Sequence, residues 1–137
     1  MHEHRMTIRV YYEDTDFSGV VYHASYLRFM ERGRTELLRA AGLDQKDLHE
    51  EIARLAFVVR RMTIDFRKPA RMDDLLEVVT VPGEIRGASM LLKQRVERGG
   101  EALVEAQVQV AVVGGDGRAR RIPPALRETL SAAAEKA

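Results

Sequence analysis

Hydrophobic and polar positions change period along this chain, and the changes divide it into elements. In "MTIRVYYE" Met6, Ile8, Val10 and Tyr12 alternate with Thr7, Arg9 and Tyr11. That period of two belongs to a strand with one face on a core, and it turns Tyr12 inward. From His23 to Ala41 the period becomes three and four. Tyr26, Met30, Gly33, Leu37 and Ala41 share one face, with Arg28, Glu31, Arg32, Glu36 and Arg39 mostly opposite. This predicts one amphipathic helix of about 19 residues, roughly 28 Å long. Gly42 stands where a helix-ending glycine belongs. Gly33, costing about 1 kcal/mol against alanine in mid-helix, predicts close packing on another layer.

Four more strands are expected at Ala56–Phe66, Leu75–Val81, Ile85–Glu97 and Ala102–Val113, separated by "KPARMDD", "PGE" and "RGGE" and followed by "GGDGR". In the last, Val104, Ala106, Val108, Val110 and Val112 alternate with Glu105, Gln107 and Gln109, the mark of an antiparallel, half-solvated strand. "PPALRETLSAAAEKA" predicts a short closing helix that starts at Pro123 or Pro124. Repeats, low-complexity tracts and linkers are not evident, so residues 1–137 read as a single domain. Its class is α+β, with a five-stranded antiparallel sheet and one long helix across it. Apolar residues at both parities of "AFVVRRMTIDF" and "LLEVVTV" predict that a second copy of the chain covers part of the sheet.

A chain of 137 residues, 45% hydrophobic, can bury one core. Its 22 basic and 21 acidic residues leave a net charge of +1, so no global field draws it to nucleic acid or a membrane surface. Without cysteine there are no disulfides, thiolate nucleophiles or cysteine-ligated metal centres. The charged start "MHEHRMTIRV" does not resemble a signal peptide, and no apolar run reaches the roughly 18 residues of a transmembrane helix. A soluble, cytoplasmic protein without stable membrane insertion is the expectation.

Chemistry concentrates in "YYEDTDFSGVVYHASY", Tyr11 to Tyr26. Acids before a helix can simply cap its free N–H groups and complement its dipole. A calcium loop is a second reading, since Asp14, Asp16, Ser18 and Gly19 match half of an EF-hand, but Ser25 stands where the bidentate glutamate is required. The third is hydrolysis. A carboxylate just before a helix N-terminus faces N–H groups able to stabilise an oxyanion. Such an aspartate can act as general base or as nucleophile, and a thioester, with its good leaving group, suits it. The serines Ser18, Ser25, Ser89 and Ser131 lie in no G-x-S-x-G elbow.

The run "VYYEDTDFSGVVYHASYLRFMERGRTELLR", continued by "IDFRKPARMDDLLEV", resembles hotdog-fold acyl-CoA thioesterases of the 4-hydroxybenzoyl-CoA thioesterase type, especially the subgroup associated with the bacterial Tol-Pal system. The resemblance covers most of the chain apart from the C-terminal tail. It implies a hotdog fold, an acyl-CoA substrate, hydrolysis without metal or separate cofactor, and a homodimer assembled into a tetramer with shared active sites shielded from solvent. By position, Asp16 matches the catalytic carboxylate. His23 matches the helix start whose N–H binds the thioester carbonyl, and Tyr12 matches a tyrosine near the site. Gly19 lets the chain turn between them. Arg86, Gly87, Ala88 and Lys93 stand where the family places pantetheine and nucleotide contacts. Rival readings are a thioesterase for acyl-carrier-protein thioesters and a non-catalytic acyl-thioester-binding module.

Other candidates carry less. His2 and His4 form an H-x-H pair near the terminus, and His49 sits in a charged loop. The clusters Arg60–Arg61, Arg67–Lys68–Arg71 and Arg118–Arg120–Arg121 could each meet coenzyme A phosphates, and nothing in the sequence chooses among them.

Overall fold

The structure is a computed structural model that describes residues 3–42 and 55–135. His2 and the connection carrying His49 lie outside them. Elements follow in the order β1 (His4–Arg9), α1 (His23–Ala40), β2 (Ala56–Phe66), β3 (Leu75–Arg86), β4 (Ser89–Arg98), β5 (Glu101–Val113) and α2 (Pro124–Glu135), with a 3-10 turn at Tyr12–Asp14. The strands form one sheet in the order β1-β3-β4-β5-β2, every pairing antiparallel.

Alternation decides which sheet face meets α1. Val104, Val108, Val110 and Val112 on β5 are buried with Met90, Leu92 and Val96 on β4 and Leu76 and Val78 on β3. Phe29, Met30, Leu37 and Leu38 of α1 complete that core. Gly33 is the closest approach: a Cβ there would lie 2.7 Å from Val78 Cγ1 and 3.0 Å from Thr80 Oγ1. α2 packs against β3, and its Leu126 and Leu130 are buried in the same core cluster as the α1-facing residues.

Two expectations need correction. The proline-glycine pair at 82–83 does not end β3, which runs on to Arg86 through a register shift between Pro82 and Ile85. Irregularity in a strand is where proline and glycine fit. A Cβ on Gly83 would sit 2.8 Å from the Leu91 carbonyl oxygen. The reversal instead uses Gly87, at φ +56°, with Ala88, between the paired Arg86 and Ser89. Tyr12 does not point inward. β1 stops at Arg9 and the 3-10 turn breaks the alternation, leaving Tyr12 81% exposed.

The β4–β5 turn, Gly99–Gly100, has φ of +57° and +85°, as a two-residue hairpin turn with two positive φ angles requires. No helix among the described residues is long and apolar enough to cross a membrane.

Candidate active site

The three carboxylates of the EDTD run go to three different environments. Glu13 is exposed. Asp14 is buried, and its Oδ2 accepts from the Tyr11 N–H at 2.8 Å. Its carbonyl accepts from the Tyr22 N–H at 2.9 Å and the Ser25 hydroxyl at 3.0 Å. Asp14 therefore anchors the loop to the first turn of α1. Asp16 is exposed, in a tight turn closed by the Gly19 N–H donating to the Asp16 carbonyl at 3.0 Å. Gly19, at φ +85°, has the left-handed backbone that glycine adopts freely.

Ser18 holds the Asp16 side chain. Its backbone N–H donates to Asp16 Oδ1 at 2.8 Å, and its hydroxyl donates to the same oxygen. These two bonds, the hydroxyl first, keep the Asp16 carboxyl below the ordinary carboxylate range. The group is ionised at neutral pH, as a base or nucleophile needs. Sequence reasoning missed Ser18 in this role, although its place two residues after an aspartate is the spacing of a local side-chain turn.

Neither acid caps α1. Its N-cap residue is Tyr22, which makes no side-chain cap hydrogen bond; the Ser25 N–H donates to the Tyr22 carbonyl at 2.8 Å, so the His23 and Ala24 N–H groups and the positive end of the dipole are left to face the space before the helix. His23 opens the helix there. Its ring lies 4.5 Å from that of Tyr22 and stacks edge-on to Phe66 at 6.2 Å. Tyr26 is buried below, its hydroxyl oxygen accepting from the Ala70 N–H at 3.0 Å. A cleft of about 240 Å³ opens between His23, Tyr26, Phe66, Arg67 and Lys68. The 67–68 pair is thus the basic cluster brought beside His23.

Asp16 and His23 stand on the same short loop-to-helix connection, held by Asp16 N–H to Val20 O at 2.9 Å and Val21 N–H to Ala70 O at 2.8 Å. Tyr12 flanks that connection on the surface. Arg86, Gly87 and Ala88 are elsewhere. The end of β3 that meets Val10, through Val10 N–H to Asp74 O, is Leu75, and Arg86 is eleven residues further on, roughly 35 Å of strand away. Lys93 is exposed in mid-β4, on a polar depression with Thr63, Asp65 and Gln107. Within one chain, these four residues are not brought to Asp16.

Both Asp16 and His23 are exposed in the single chain. Around them lies an apolar rim of Tyr11, Tyr12, Phe17, Tyr22, Phe66, Met72 and Leu75, each at least 46% exposed.

A sheet curved over one long helix, with a carboxylate held just outside an uncapped helix N-terminus, defines the hotdog thioesterase class. The chain belongs to the thioesterase superfamily, whose model matches residues 18–105. That span includes His23 and begins just after Asp16. The chain is 50% identical over 110 residues to the acyl-CoA thioester hydrolase YbgC of Escherichia coli, covering 80% of this chain and 81% of that protein. It is 52% identical over 106 residues to the acyl-CoA thioesterase YbgC of Haemophilus influenzae, covering 77% of each. Among solved structures, a probable thioesterase from Bartonella henselae superposes with a TM-score of 0.86 at 44% identity, covering 88% of this chain and 99% of that one. A mutant 4-hydroxybenzoyl-CoA thioesterase complexed with 4-hydroxybenzoyl-CoA reaches a TM-score of 0.88 at 20% identity, covering 95% and 99%, which shows the shared fold.

Proposed function

We propose that this chain hydrolyses the thioester of a short-chain or aromatic acyl-CoA to the free acid and coenzyme A. The observation that carries this reading is the pairing of an ionised carboxylate, held by Ser18 on Asp16, with the uncapped N-terminus of α1 at His23. The YbgC relatives, named for acyl-CoA thioester hydrolysis, support it.

In this mechanism the thioester carbonyl oxygen points at the first-turn N–H groups of α1, which stabilise the negative charge that grows there. Asp16 either takes a proton from water as it attacks the carbonyl carbon or attacks that carbon itself, giving an acyl-aspartyl intermediate that water then cleaves. The C–S bond breaks and the thiolate of coenzyme A leaves. The His23 side chain orients water or substrate, Tyr12 flanks the site, and no metal or separate cofactor is used.

A second copy of the chain completes the site. The edge strand β2 pairs on one side only, with Val58 and Val59 exposed, and the apolar rim around Asp16 is of the kind an interface covers. A homodimer, assembled further into a tetramer, would close the open cleft and could bring the partner's Arg86–Gly87–Ala88 turn or Lys93 to the coenzyme. Arg67 and Lys68, already beside His23, are the nearer candidates for the phosphates. The setting is cytoplasmic, where acyl-CoA is found.

Free-thiol release from a panel of short, long and aromatic acyl-CoAs, with acyl-carrier-protein thioesters alongside, tests the reading. Turnover highest on short or aromatic acyl-CoA is the expected result. A preference for carrier-bound substrate would move the assignment to the carrier protein, and acyl-CoA binding without turnover would make the chain a binding module.

A further inference from the structure

A second cavity, of about 230 Å³, lies between the later half of α1 and strands β2, β4 and β5. Arg34 is eleven residues beyond His23 on the helix, roughly 16 Å along its axis, so within one chain the cavity is separate from the cleft at the helix N-terminus. Its walls are apolar, from Leu37, Phe57, Met90, Leu92 and Val110, and two charged residues of α1, Glu31 and Arg34, reach it.

Arg34 is the unusual member. Its side chain is only partly exposed, and its one hydrogen bond among the described residues, 2.9 Å from Nη1, goes to the neutral Gln94 amide oxygen. Gln94 is itself buried and fixed by donating to Met30 O at 2.8 Å and Thr80 Oγ1 at 2.9 Å. A guanidinium carries five donors, and burial of a cation costs free energy unless an anion meets it. Burial lowers the Arg34 pKa, partly offset by the charge of Glu31 one turn earlier, yet the two make no ion pair among the described residues. A rigid amide therefore holds a cation at the edge of an apolar cavity, with most of its donors unused among the described residues.

We propose that this cavity is a second ligand site, for a small monocarboxylate on an apolar body whose carboxylate pairs with Arg34. At about 25 Å³ per heavy atom, taken from a 150 Å³ cavity that accepts benzene, the space suits about nine heavy atoms, the size of hexanoate or benzoate. Arg34 pairs with a carboxylate in a geometry that neutral analogues cannot reproduce. The free acid released by thioester hydrolysis is a ligand of this class; that source, though not the binding itself, rests on the function proposed above.

Calorimetric titration of the full chain with sodium hexanoate and sodium benzoate tests the site, with hexanamide as the uncharged probe. Wild type should bind a carboxylate at least tenfold more tightly than the amide. Arg34→Met should lose that margin while still folding, and Val110→Phe, which fills the cavity, should weaken both probes. Methyl NMR shifts on the wild type locate the ligand without any variant. Shifts at Leu37, Leu92 and Val110 support the site, and shifts confined to Val21 and the 23–26 turn would overturn it. Equal carboxylate affinity in wild type and Arg34→Met would also overturn it. Loss of thiol release with intact carboxylate binding would instead refute the proposed function and leave the site standing.

Discussion

Replacing Gly33 with alanine sets two magnitudes against each other. Alanine in mid-helix gains about 1 kcal/mol of intrinsic propensity over glycine. Against this, the new methyl would stand 2.7 Å from Val78 Cγ1, roughly 1 Å short of comfortable carbon–carbon contact. Val78 is fully buried and its β-branched side chain has little freedom to move aside. Overpacking of this kind costs about 1–3 kcal/mol. The methyl would also press on Thr80 Oγ1 at 3.0 Å and Gln94 Nε2 at 3.2 Å. Gln94 Nε2 makes two buried hydrogen bonds, each worth about 1 kcal/mol. The net expectation is a loss of about 1–3 kcal/mol, or roughly 4–12 °C in Tm for a domain of this size. Thermal and urea unfolding at matched protomer concentration measure it, and a double-mutant cycle with Val78→Ala, which removes the clashing methyl, should show a favourable coupling of about 1 kcal/mol or more. An unchanged or raised Tm would mean that helix propensity wins, and would refute the account of how α1 is seated.

Other outcomes follow from single contacts. Tyr26→Phe removes the acceptor of the buried Ala70 N–H and should cost about 1–3 kcal/mol in urea unfolding; no loss would show that this N–H has another partner. Ser18→Ala takes one of the two donors from Asp16, so the Asp16 pKa rises and the acid limb of the pH–rate profile should move to higher pH, with an unmoved limb separating Asp16 from catalysis. Glu97 is held below the ordinary carboxylate range by hydrogen bonds first from Arg95 and then from Arg5. Its contribution to stability is present above the ordinary carboxylate pKa and is lost as pH falls through the lower folded-state value. Glu97→Gln should therefore flatten the acid side of the urea-midpoint profile, an effect that weakens with salt; parallel wild-type and mutant profiles would contradict it.

The sequence was most readable where burial repeats at one period. β5 alternates cleanly because its outer face stays polar, and α1 shows its stripe because one face alone meets the sheet. Gly33 was readable for the same reason, since a glycine inside a strong helical pattern needs a close neighbour. Failures came where local geometry overrides period. At Pro82–Gly83 a bulge and a turn want the same residues, and only the ladder shows that the reversal lies at Gly87–Ala88. Tyr12 continued an alternation that Asp14 had already ended by binding the Tyr11 N–H. The capping explanation of the EDTD run holds for Asp14, which secures the 3-10 turn, and not for α1. Which of two aspartates is buried depends on contacts to Tyr22 and Ser25 that spacing does not encode. Which of the three basic clusters lies beside the site was equally hidden, because the nearness of Arg67 and Lys68 to His23 comes from the path of the chain after β2.

Asp16→Asn tests the central claim most directly. The change keeps the side chain's shape and its acceptor oxygen for Ser18, and removes the charge that the proposed mechanism uses as base or nucleophile. Thiol release from the best acyl-CoA, measured beside the unfolding curve, should fall by about a hundredfold or more, with Tm nearly unchanged. Full turnover in a folded Asp16→Asn protein would contradict the account and send the search for the catalytic group away from the EDTD turn.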